Sequence, residues 1–439
     1  MKRISNMTAF DFVDGEELGR LVRPDRIHAR VYTDPALFEL EQQNLFGRAW
    51  MIVGHESQVP TPGAFVTANL GTLPVIVTRS SDDAIHVLEN RCPHKGAAIC
   101  TVPSGKLKRL QCPYHGWAFR LDGSLLALPE RQEYDAGIDT AGLGLTPVAK
   151  VELYRGFIFA NTDPNAPPLA TFLGPMADTI DNLVDRAPEG RVEIYGSPVR
   201  YVYRGNWKFV VENFNDAHHA AMTHASAVSA VRSIEARVGS DKLSEMLRIA
   251  AANGKPMSVW QSSPLYTVDY GHSYFGTHFA IPYEDDVMAK YFPMLVDAHG
   301  EAKARDVLNF DQHLMILYPS SSWQTRYQSL RVVRPLAVDR TEVIGYVFRL
   351  VGAPEETLDE AVRLSSGFTG FNIVTQDDIE VFESCQEAMT AGRIEWNFIG
   401  RGAADTGVPQ ARKTRHVGTS EAYIRGQMAA WAGFMGGMI

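Results

Sequence analysis

The sequence predicts an α+β protein in which a small all-β domain precedes a larger domain of antiparallel strands and helices. Residues 50–161 contain short runs rich in β-branched and aromatic side chains, separated by Gly, Asp, Asn and Pro, which is typical of an all-β domain. Pro164, Pro167 and Pro168 mark a boundary. Beyond it, strand-like and helix-like segments mix without a repeating βαβ rhythm, which favours an antiparallel sheet with helices.

Size and composition place the chain among ordinary globular proteins. Its 439 residues are enough for two domains, and 45% hydrophobic with 21% charged residues is a globular composition. The formal net charge is −9 and no basic tract occurs, so no nucleic-acid partner is expected. A glycine-rich fingerprint of the form G-x-G-x-x-G is absent, so no flavin or nicotinamide reductase domain is expected either.

Cysteine usage and hydropathy indicate a cytoplasmic protein with no membrane segment. The four cysteines, Cys92, Cys100, Cys112 and Cys385, do not have the spacing of a disulfide framework, which favours a reducing compartment. The start, MKRISNMTAFDF, has no apolar core of the signal-peptide type, and no run of about eighteen apolar residues occurs. The apolar tail WAGFMGGMI is short, and it is expected to pack on a domain or on a neighbouring subunit.

Local signals define the individual elements. Asp34 before Pro35 predicts a helix start, because Asp is a favoured N-cap and Pro is tolerated in the first turn. This helix is predicted to run through Phe46. The predicted strands include 74–79, 84–90 and 155–161 in the first domain, and 191–207 and 330–351 in the second. The predicted helices of the second domain are 173–186, 356–366 and 377–391.

Two short segments contain the residues that predict chemistry in the first domain. The strings CPH at 92–94 and CPYH at 112–115 are separated by seventeen residues. The order C-x-H…C-x-x-H does not suit a zinc finger, where cysteine pairs and histidine pairs usually come separately. It suits a 2Fe–2S centre in which one iron takes two thiolates and the other takes two imidazoles, which is the Rieske arrangement. The predicted ligands are Cys92, His94, Cys112 and His115.

The surroundings of these ligands support the prediction. A Pro follows each Cys and favours a tight turn, and Gly96 and Gly116 allow the backbone to approach a cluster closely. Trp117 and Phe119 are expected to shield one side of it. The strings RCPHKGA and QCPYHGW resemble the two ligand loops of Rieske domains, with Lys95 where many relatives have Arg.

A second metal site is predicted in the larger domain. Two histidines and one carboxylate, with open coordination positions, form the facial triad of non-haem Fe(II) oxygenases. The segments 206–226 and 375–386 contain the candidate ligands Glu212, Asp216, His218, His219, His224, Asp377 and Asp378. His219 and His224 are five residues apart, about 140° on an ideal helix, so both can face one metal only at a helix end or an irregular turn.

The string ENFNDAHHAAMTHAS resembles the iron-binding segment of the Rieske non-haem iron aromatic ring-hydroxylating oxygenases, large (α) subunit. The resemblance extends over nearly the whole chain. It implies that His219 and His224 are the histidine ligands of a D-x-x-H-x4-H motif. It implies Asp378 as the carboxylate ligand, with Asp377 as the alternative. His218 stands where the family usually has Tyr, so a shift of one residue in the first histidine ligand stays open.

The same resemblance implies catalytic roles for residues beside the iron. Asp216 matches an acid that connects the mononuclear site to the Rieske centre of a neighbouring subunit, and Asn213 matches a polar residue close to the iron. Glu212 matches an acid near the subunit interface. The implied electron route leaves the cluster at His115 and passes Asp216 to reach His219. Asp216 is also expected to orient the imidazoles, as carboxylates behind metal-bound histidines do.

For the fold, the resemblance implies an all-β Rieske domain inserted before a helix-grip (Bet v1/START-like) catalytic domain. The implied parts are 1–47, an N-terminal helical segment packing on the catalytic domain; 48–165, the Rieske domain; and 166–439, the catalytic domain. The implied cofactors are one Rieske 2Fe–2S cluster and one mononuclear Fe(II). NADH would act only through a separate reductase or ferredoxin. The implied assembly is a homotrimer, to which a small β subunit could add to give α3β3.

The implied reaction uses O2 and external electrons to hydroxylate an aromatic ring, with cis-dihydroxylation as the leading expectation. The strings LFGRAWMIVGHESQVPTPGAF and YRGFIFAN resemble large subunits that act on aromatic acids of the benzoate, cumate or phenoxyacetate type. A Rieske monooxygenase or O-dealkylase acting on a phenoxy or methoxy aromatic is the alternative. A pure Rieske electron-transfer protein, or a non-catalytic module on a Bet v1-like scaffold, fits the second ligand set less well.

Overall fold

The computed structural model of the protein describes residues 18, 20–135, 137–276, 283–368 and 373–437. The chain divides into two compact units, of which Phe46–Leu169 form one and the flanking segments form the other. The sequence placed the corresponding boundaries at 48 and 165. The N-terminal twelve residues and the last two residues of the tail, on which predictions were made, lie outside the described residues.

The first described elements are short, and Asp34 organises them. They are strands β1 (Val22–Arg23) and β2 (Arg26–His28) and helices α1 (Arg30–Thr33) and α2 (Pro35–Asn44). The Asp34 side chain accepts a hydrogen bond of 2.9 Å from the amide of Ala36, so the predicted helix start is confirmed. The helix ends at Asn44, two residues before the predicted end.

The unit Phe46–Leu169 has the predicted all-β character. Its strands are β3 (Met51–His55), β4 (Ala64–Leu70), β5 (Leu73–Arg79), β6 (Ile85–Glu89), β7 (Ser104–Lys106), β8 (Leu110–Gln111), β9 (Ala118–Phe119), β10 (Leu125–Ala127), β11 (Lys150–Tyr154) and β12 (Phe157–Asn161). They form antiparallel sheets in the orders β6-β5-β4-β7, β10-β9-β8 and β11-β12-β3. The predicted strands at 74–79, 84–90 and 155–161 correspond to β5, β6 and β12.

The other unit is built on a long antiparallel sheet, as predicted. Its further strands are β13 (Val192–Tyr203), β14 (Pro264–Val268), β15 (Ser273–Gly276), β16 (Gln312–Leu317), β17 (Ser321–Gln324), β18 (Ser329–Ala337), β19 (Arg340–Leu350), β20 (Trp396–Phe398), β21 (Val408–Gln410) and β22 (Lys413–Val417). Nine strands pair in the order β13-β19-β18-β17-β16-β15-β14-β22-β21, and β20 extends β1-β2. The predicted strand segments 191–207 and 330–351 contain β13 and the β18–β19 hairpin.

The same unit also contains helices, and the sequence predicted only some of them. They are α3 (Leu169–Leu173), α4 (Ala177–Asp185), α5 (Trp207–Asn213), α6 (Ala220–Thr223), α7 (Ala225–Val238), α8 (Glu245–Ala252), α9 (Met257–Ser262), α10 (Asp285–His299), α11 (Glu301–Leu308), α12 (Glu355–Phe368), α13 (Ile373–Ala391) and α14 (Ala422–Met435). The predicted helices at 356–366 and 377–391 correspond to α12 and α13. The prediction at 173–186 was too long, because α4 is preceded by a 3-10 turn. Helix α10 went unpredicted, and it contains Pro293, which usually ends a helix.

A buried ion pair joins α2 to the helices of its own unit. Glu41 and Lys208 form a salt bridge with both side chains 1% exposed. The Glu41 carboxylate also accepts hydrogen bonds from the indole N–H groups of Trp207, at 2.8 Å, and Trp431, at 2.7 Å. A buried charge is tolerated only when it is paired and hydrogen-bonded in this way. This cluster holds α5, which leads into the predicted iron-binding segment, against α2 and α14.

The apolar tail packs within its own unit as far as it is described. Trp431 and Phe434 of α14 are 0% and 2% exposed. No helix in the described part of the chain is long and apolar enough to cross a bilayer.

Candidate metal centres

The two Cys-His loops of the all-β unit have matching backbone geometry. In each loop the Cys amide, of Cys92 or Cys112, donates a 2.8 Å hydrogen bond to the carbonyl five residues later. The amides of Gly96 and Gly116 donate back to these cysteines' carbonyls, at 2.9 and 3.1 Å. Both glycines have positive φ, 76° and 72°, which a residue with a Cβ adopts only with strain. The two loops therefore present their side chains in the same way.

The four predicted ligands face one another on these loops. Cys92 and Cys112 are 1% and 3% exposed and belong to the core of the unit. The rings of His94 and His115 lie 4.7 Å apart between centroids, and His115 is exposed. Trp117 stacks on His94 at 5.1 Å, which is the shielding predicted from the sequence.

The donor set fits a 2Fe–2S group. Burial, together with the neighbouring thiol of Cys112, raises the pKa of Cys92, and all four cysteines of the chain are free thiols. Nδ1 of His94 is buried without a hydrogen-bond partner. A buried ring nitrogen without a partner is unfavourable unless something else binds it. Two thiols and two imidazoles brought together in this way are the Rieske donor set.

Asn90 supports the first loop, and the sequence did not predict it. Its side-chain amide donates to the carbonyl of Cys100 at 2.8 Å, and its carbonyl oxygen accepts from the amides of Ile99 and Cys100 at 2.8 and 2.9 Å. These bonds fix the backbone that follows the first ligand loop. Asn90 is 7% exposed, so the bonds are shielded from water.

The second candidate centre joins three residues from two distant segments. One ligand atom each from His219, His224 and Asp378 lie within 4.8 Å of one another, and the described residues contain no other such group of three. Asp378 Oδ1 is 3.5 Å from His219 Nε2 and 3.4 Å from His224 Nε2. His219 immediately precedes α6, and His224 lies between α6 and α7. This is the helix-end placement that the five-residue spacing requires.

Carboxylates stand behind both rings. Nδ1 of His219 lies 3.5 Å from Asp216 Oδ2, and Nδ1 of His224 lies 3.3 Å from Asp377 Oδ2. The first separation is long for a hydrogen bond, so it is an ion-pair contact rather than a well-formed bond. Asp377, the alternative ligand of the sequence prediction, therefore lies on the outer side of a ligand histidine. His218 is outside the group of three, and its amide donates to Asp216 Oδ1 at 2.8 Å.

Asn213 joins the ligands from the end of α5. Its Nδ2 lies 3.1 Å from His219 Nε2 and 3.1 Å from Asp378 Oδ1. Burial raises the pKa of Asp378, so a cation beside it would offset an unfavourable buried charge. Two imidazoles and one carboxylate are the donor set of a non-haem Fe(II) site, and the residues present fit that group.

The charges around Asp216 favour its carboxylate form. Burial opposes ionisation, but His219, the amide of His218 and the Arg401 guanidinium outweigh it and hold the pKa of Asp216 below its usual value. Arg401 Nη2 donates to Asp216 Oδ1 at 3.2 Å, and its Nε donates to the carbonyl of Thr419 at 2.8 Å. Asp216 thus has fixed partners on two sides.

Glu212, also predicted at this site, is buried. It accepts a hydrogen bond of 2.9 Å from the hydroxyl of Tyr32, and burial raises its pKa to about 7. A cavity of about 220 Å³ borders Glu212, Asn213, Asp216 and two of the candidate ligands.

Two family models match the chain, and together they cover most of it. A Rieske [2Fe-2S] domain matches residues 49–149, and a ring hydroxylating alpha subunit (catalytic domain) matches residues 193–437. The chain belongs to the ring-hydroxylating oxygenase alpha subunits. It is therefore an oxidoreductase whose Rieske domain binds a 2Fe–2S cluster and whose catalytic domain binds a mononuclear iron.

Individual relatives of this alpha subunit include two dioxygenases and an N-demethylase. The large subunit of 2-halobenzoate 1,2-dioxygenase from Burkholderia cepacia is 31% identical, over 86% of this chain and 80% of the relative. Toluate 1,2-dioxygenase subunit alpha from Pseudomonas putida is 32% identical, over 86% and 82%. The alpha subunit of an N,N-dimethyl phenylurea N-demethylase from Sphingobium sp. (strain YBL2) is 30% identical, over 81% and 78%.

A solved structure of a related enzyme matches the fold of this alpha subunit. Naphthalene 1,2-dioxygenase with indole bound in its active site is 26% identical, with a TM-score of 0.79 over 97% of this chain and 95% of the other. The match supports the predicted class, a Rieske domain with a catalytic domain of helices and an antiparallel sheet.

One charged residue near the catalytic centre of this alpha subunit was missed by sequence reasoning. Arg331, on β18, hydrogen-bonds Ser322 Oγ at 3.3 Å, and its guanidinium carbon lies 4.0 Å from the centroid of the Phe214 ring. Burial lowers the pKa of Arg331 to about 10, although its electrostatic interactions with Tyr201 and Asp378 act in the opposite direction and raise the pKa. A strand arginine gives no local signal of function, because Asp378 lies far along the chain, on α13, and only the fold brings the two residues together.

Proposed function

We propose that this alpha subunit hydroxylates the ring of an aromatic acid and that Arg331 binds the acid's carboxylate. The observation that carries the proposal is a half-buried guanidinium, near the proposed iron ligand Asp378, with no ion-pair partner among the described residues. A charge that is largely removed from water is costly unless an anion meets it. The 2-halobenzoate and toluate dioxygenases among the relatives act on such acids by name.

The position of Arg331 suits this role. The residue lies deep in the fold, yet part of its surface is not covered by protein, as expected for a side chain that borders an internal space. One of its five N–H donors is engaged by Ser322, which leaves donors for a carboxylate. The guanidinium group also lies over the face of the Phe214 ring, and this cation–π contact helps to fix its position. Arginine binds planar carboxylates with two parallel hydrogen bonds, which would also orient the substrate ring.

The residues of the two centres have separate tasks in this proposal. Cys92, His94, Cys112 and His115 hold the 2Fe–2S cluster, and His219, His224 and Asp378 hold the iron. The cluster supplies electrons one at a time, and the iron supplies the chemistry that activates O2. Carboxylates behind the rings keep the proton on Nδ1 of His219 and His224, so that Nε2 is free to bind metal. Asn213 keeps Asp378 and His219 at a fixed separation.

Asp216 is the bridging acid of the proposed assembly. We expect a head-to-tail homotrimer, in which the Rieske loop of one subunit approaches Asp216 of the next, with a heterologous interface that closes into a ring. The exposed ring of His115 is available for such an approach. A small β subunit would extend the ring to α3β3, and a ferredoxin or reductase that draws on NADH would deliver electrons. Sedimentation of an active monomer would contradict this route.

The experiment compares Arg331→Gln with Arg334→Gln. Arg334 is on the same strand, three residues away, so it points to the other face of the sheet, where it pairs with Glu342 at 3.1 Å. With an aromatic carboxylate substrate, Arg331→Gln is expected to raise KM by about 10- to 100-fold, since hydrogen bonds to charged groups contribute about 1.5–3 kcal/mol. Arg334→Gln is expected to leave KM unchanged, and a neutral amide analogue of the acid should bind both variants equally.

Product masses decide the reaction type. A gain of 34 mass units, from two oxygen and two hydrogen atoms, identifies cis-dihydroxylation. A gain of 16 or the loss of an alkyl group identifies the monooxygenase or O-dealkylase alternative, which the N-demethylase among the relatives makes worth testing. An unchanged KM in Arg331→Gln would refute the carboxylate role of this residue. No oxygenated product from any aromatic acid, with both metals loaded, would refute the substrate class.

A further inference from the structure

A second cavity in the catalytic unit has a charged wall that the oxygenase reaction does not use. It has a volume of about 500 Å³, and three arginines, Arg186, Arg305 and Arg326, are among its lining residues. Arg305 is exposed and pairs with Glu301 at 2.6 Å, so its charge is already compensated. Arg186 directly follows α4, and Arg326 lies in the turn between β17 and β18. Neither residue borders the cavity beside Asp378 and His219. We name this space the arginine cavity.

The guanidinium groups of Arg186 and Arg326 are both buried and only partly hydrogen-bonded. Arg186 is 1% exposed; its Nε donates to Asn182 Oδ1 and its Nη2 to the carbonyl of Val307, each at 3.0 Å, and its Nη1 has no partner. Arg326 is 4% exposed; its Nη2 donates to Glu360 at 2.7 Å, and its Nε and Nη1 have no partner. A buried N–H without a partner is unfavourable, because it has lost its hydrogen bonds to water and gained none in the protein.

The charges in this wall do not cancel. Glu360 neutralises Arg326 in a pair whose side chains are 1% and 5% exposed. The partners of Arg186 are a neutral amide and a backbone carbonyl, so its positive charge stays uncompensated. A buried, uncompensated cation beside a cavity favours an anion there.

Apart from Arg305 and Asn309, the remaining lining residues are apolar or aromatic. Met288 and Phe292 come from α10 and Leu308 from the end of α11. Tyr283 stacks against Arg326, with the guanidinium carbon 3.4 Å from the ring centroid, and so fixes the direction of that side chain. Cavities of roughly 300–1,000 Å³ with mostly apolar walls and a few aligned donors are typical small-molecule sites.

We propose that the arginine cavity binds a small amphipathic carboxylate, with its anionic end between Arg186 and Arg326 and its apolar body against Phe292 and Leu308. The ligand class follows from a forked donor set at one end and hydrophobic walls at the other. This site is separate from the carboxylate contact proposed for Arg331, and it stands whether or not that contact is correct.

The test measures benzoate binding by calorimetry to the full-length protein with both metal groups loaded. Arg331→Gln serves as the background, so that binding at the catalytic centre is weakened. Ala289→Phe fills the arginine cavity from its exposed rim on α10 and is expected to weaken the remaining benzoate binding at least tenfold. Met294→Phe, on the same helix but outside the cavity and 42% exposed, is the matched control and should change nothing.

Arg186→Gln removes the uncompensated charge and is expected to weaken binding at least tenfold while the Rieske absorption stays normal. Ala289→Phe keeps the proposal testable if Arg186→Gln does not fold. Phosphate and benzyl alcohol, which have only the charge or only the apolar body, are expected to bind at least tenfold more weakly than benzoate. The proposal is overturned if no saturable benzoate binding responds to Ala289→Phe, or if phosphate binds as tightly as benzoate. Because no turnover is measured, these outcomes are independent of the aromatic-acid reaction.

Discussion

The two metal centres both use histidine as a predicted ligand, but the protein positions these histidines in different ways. The predicted Rieske ligands come from residues 92–115 alone, on two loops that the same pair of backbone hydrogen bonds closes. The candidate iron ligands span residues 219–378, and side-chain carboxylates stand behind the two histidine rings. One centre is therefore specified by local backbone conformation, and the other by packing between α5, α6 and α13.

Exposure of the histidines follows the same division. His115 of the Rieske pair is exposed, whereas His224 of the iron site is 1% exposed. An electron carrier needs one ligand near the surface, where a partner can approach. A site that activates O2 benefits from exclusion of water, because electrostatic contacts are stronger there. Histidine is thus a predicted ligand in an exposed environment at the Rieske centre and in a buried one at the iron site.

The largest expected effect is the loss of one metal group, with the other retained, when a single predicted ligand is substituted. Cys112→Ser is expected to abolish the visible absorption and EPR signal of the Rieske cluster while the mononuclear iron is retained. His219→Ala or Asp378→Ala is expected to do the reverse and to abolish oxygenation. Metal analysis with EPR checks both. A normal Rieske signal in Cys112→Ser would disprove the ligand assignment.

Asp216→Asn should sharpen the comparison without removing either metal. The variant keeps the size of the side chain but loses the charge that faces His219 Nδ1 and pairs with Arg401. Turnover is expected to fall by orders of magnitude with both metals present. If Asp216 only stabilised the helix end, the variant would lose about 1 kcal/mol of stability and little activity. Single-turnover oxidation of the Rieske cluster by O2 distinguishes these results.

Asp377→Asn tests the support behind His224. Because Asp377 lies 3.3 Å from His224 Nδ1 and not with the ligand atoms, its loss should weaken iron binding by about 10- to 100-fold without abolishing it. Iron affinity measured with a competing chelator checks this, with Asp378→Ala as the reference for complete loss. If Asp377→Asn loses all its iron and Asp378→Ala retains it, the carboxylate ligand is one residue earlier than assigned.

The smallest expected effect is a loss of folding stability at acid pH, and it should be similar in the two units. Burial lowers the pKa of His55 in the Rieske unit and of His272 in the catalytic unit from 6.5 to about 4. The fold therefore favours the neutral ring, so stability is complete above pH 6.5 and falls as the pH drops toward 4. A shift of this size corresponds to about 3 kcal/mol for each histidine.

His272 allows a specific test of that acid sensitivity. Its Nδ1 accepts a 3.0 Å hydrogen bond from the amide of Tyr318, which protonation would remove, and its Nε2 lies 3.0 Å from the carbonyl of Phe172. His272→Gln can keep a donor and an acceptor and does not titrate. Its unfolding free energy should depend less on pH between 6.5 and 4 than that of the wild type, as denaturant titrations would show. An identical pH dependence would contradict the assignment.

Sequence reasoning succeeded where the signal was local. The cap at Asp34, the strands β5, β6 and β12, and the positive-φ glycines of the Cys-His loops each depend on a few neighbouring residues. It failed for the helices between 225 and 308, where Pro293 and short breaks hid the periodicity. It assigned Asp378 as the carboxylate ligand but kept Asp377 as the alternative, since adjacent acids differ only in which side of α13 they occupy.

The sequence by itself determined the fold class, the Rieske loops and the candidate iron ligands, because residue type and short spacing specify a turn, a strand or a donor set. Only the tertiary structure placed Asp377 behind the His224 ring, with Asp378 among the candidate ligand atoms, and brought Arg331 near Asp378. It alone also brought Arg186 and Arg326 to one cavity. Asp378 is 165 positions from its partner Asn213, and Arg186 is 121 positions from its partner Val307. Contacts over such separations depend on how helices pack on the sheet, and no local pattern records that packing.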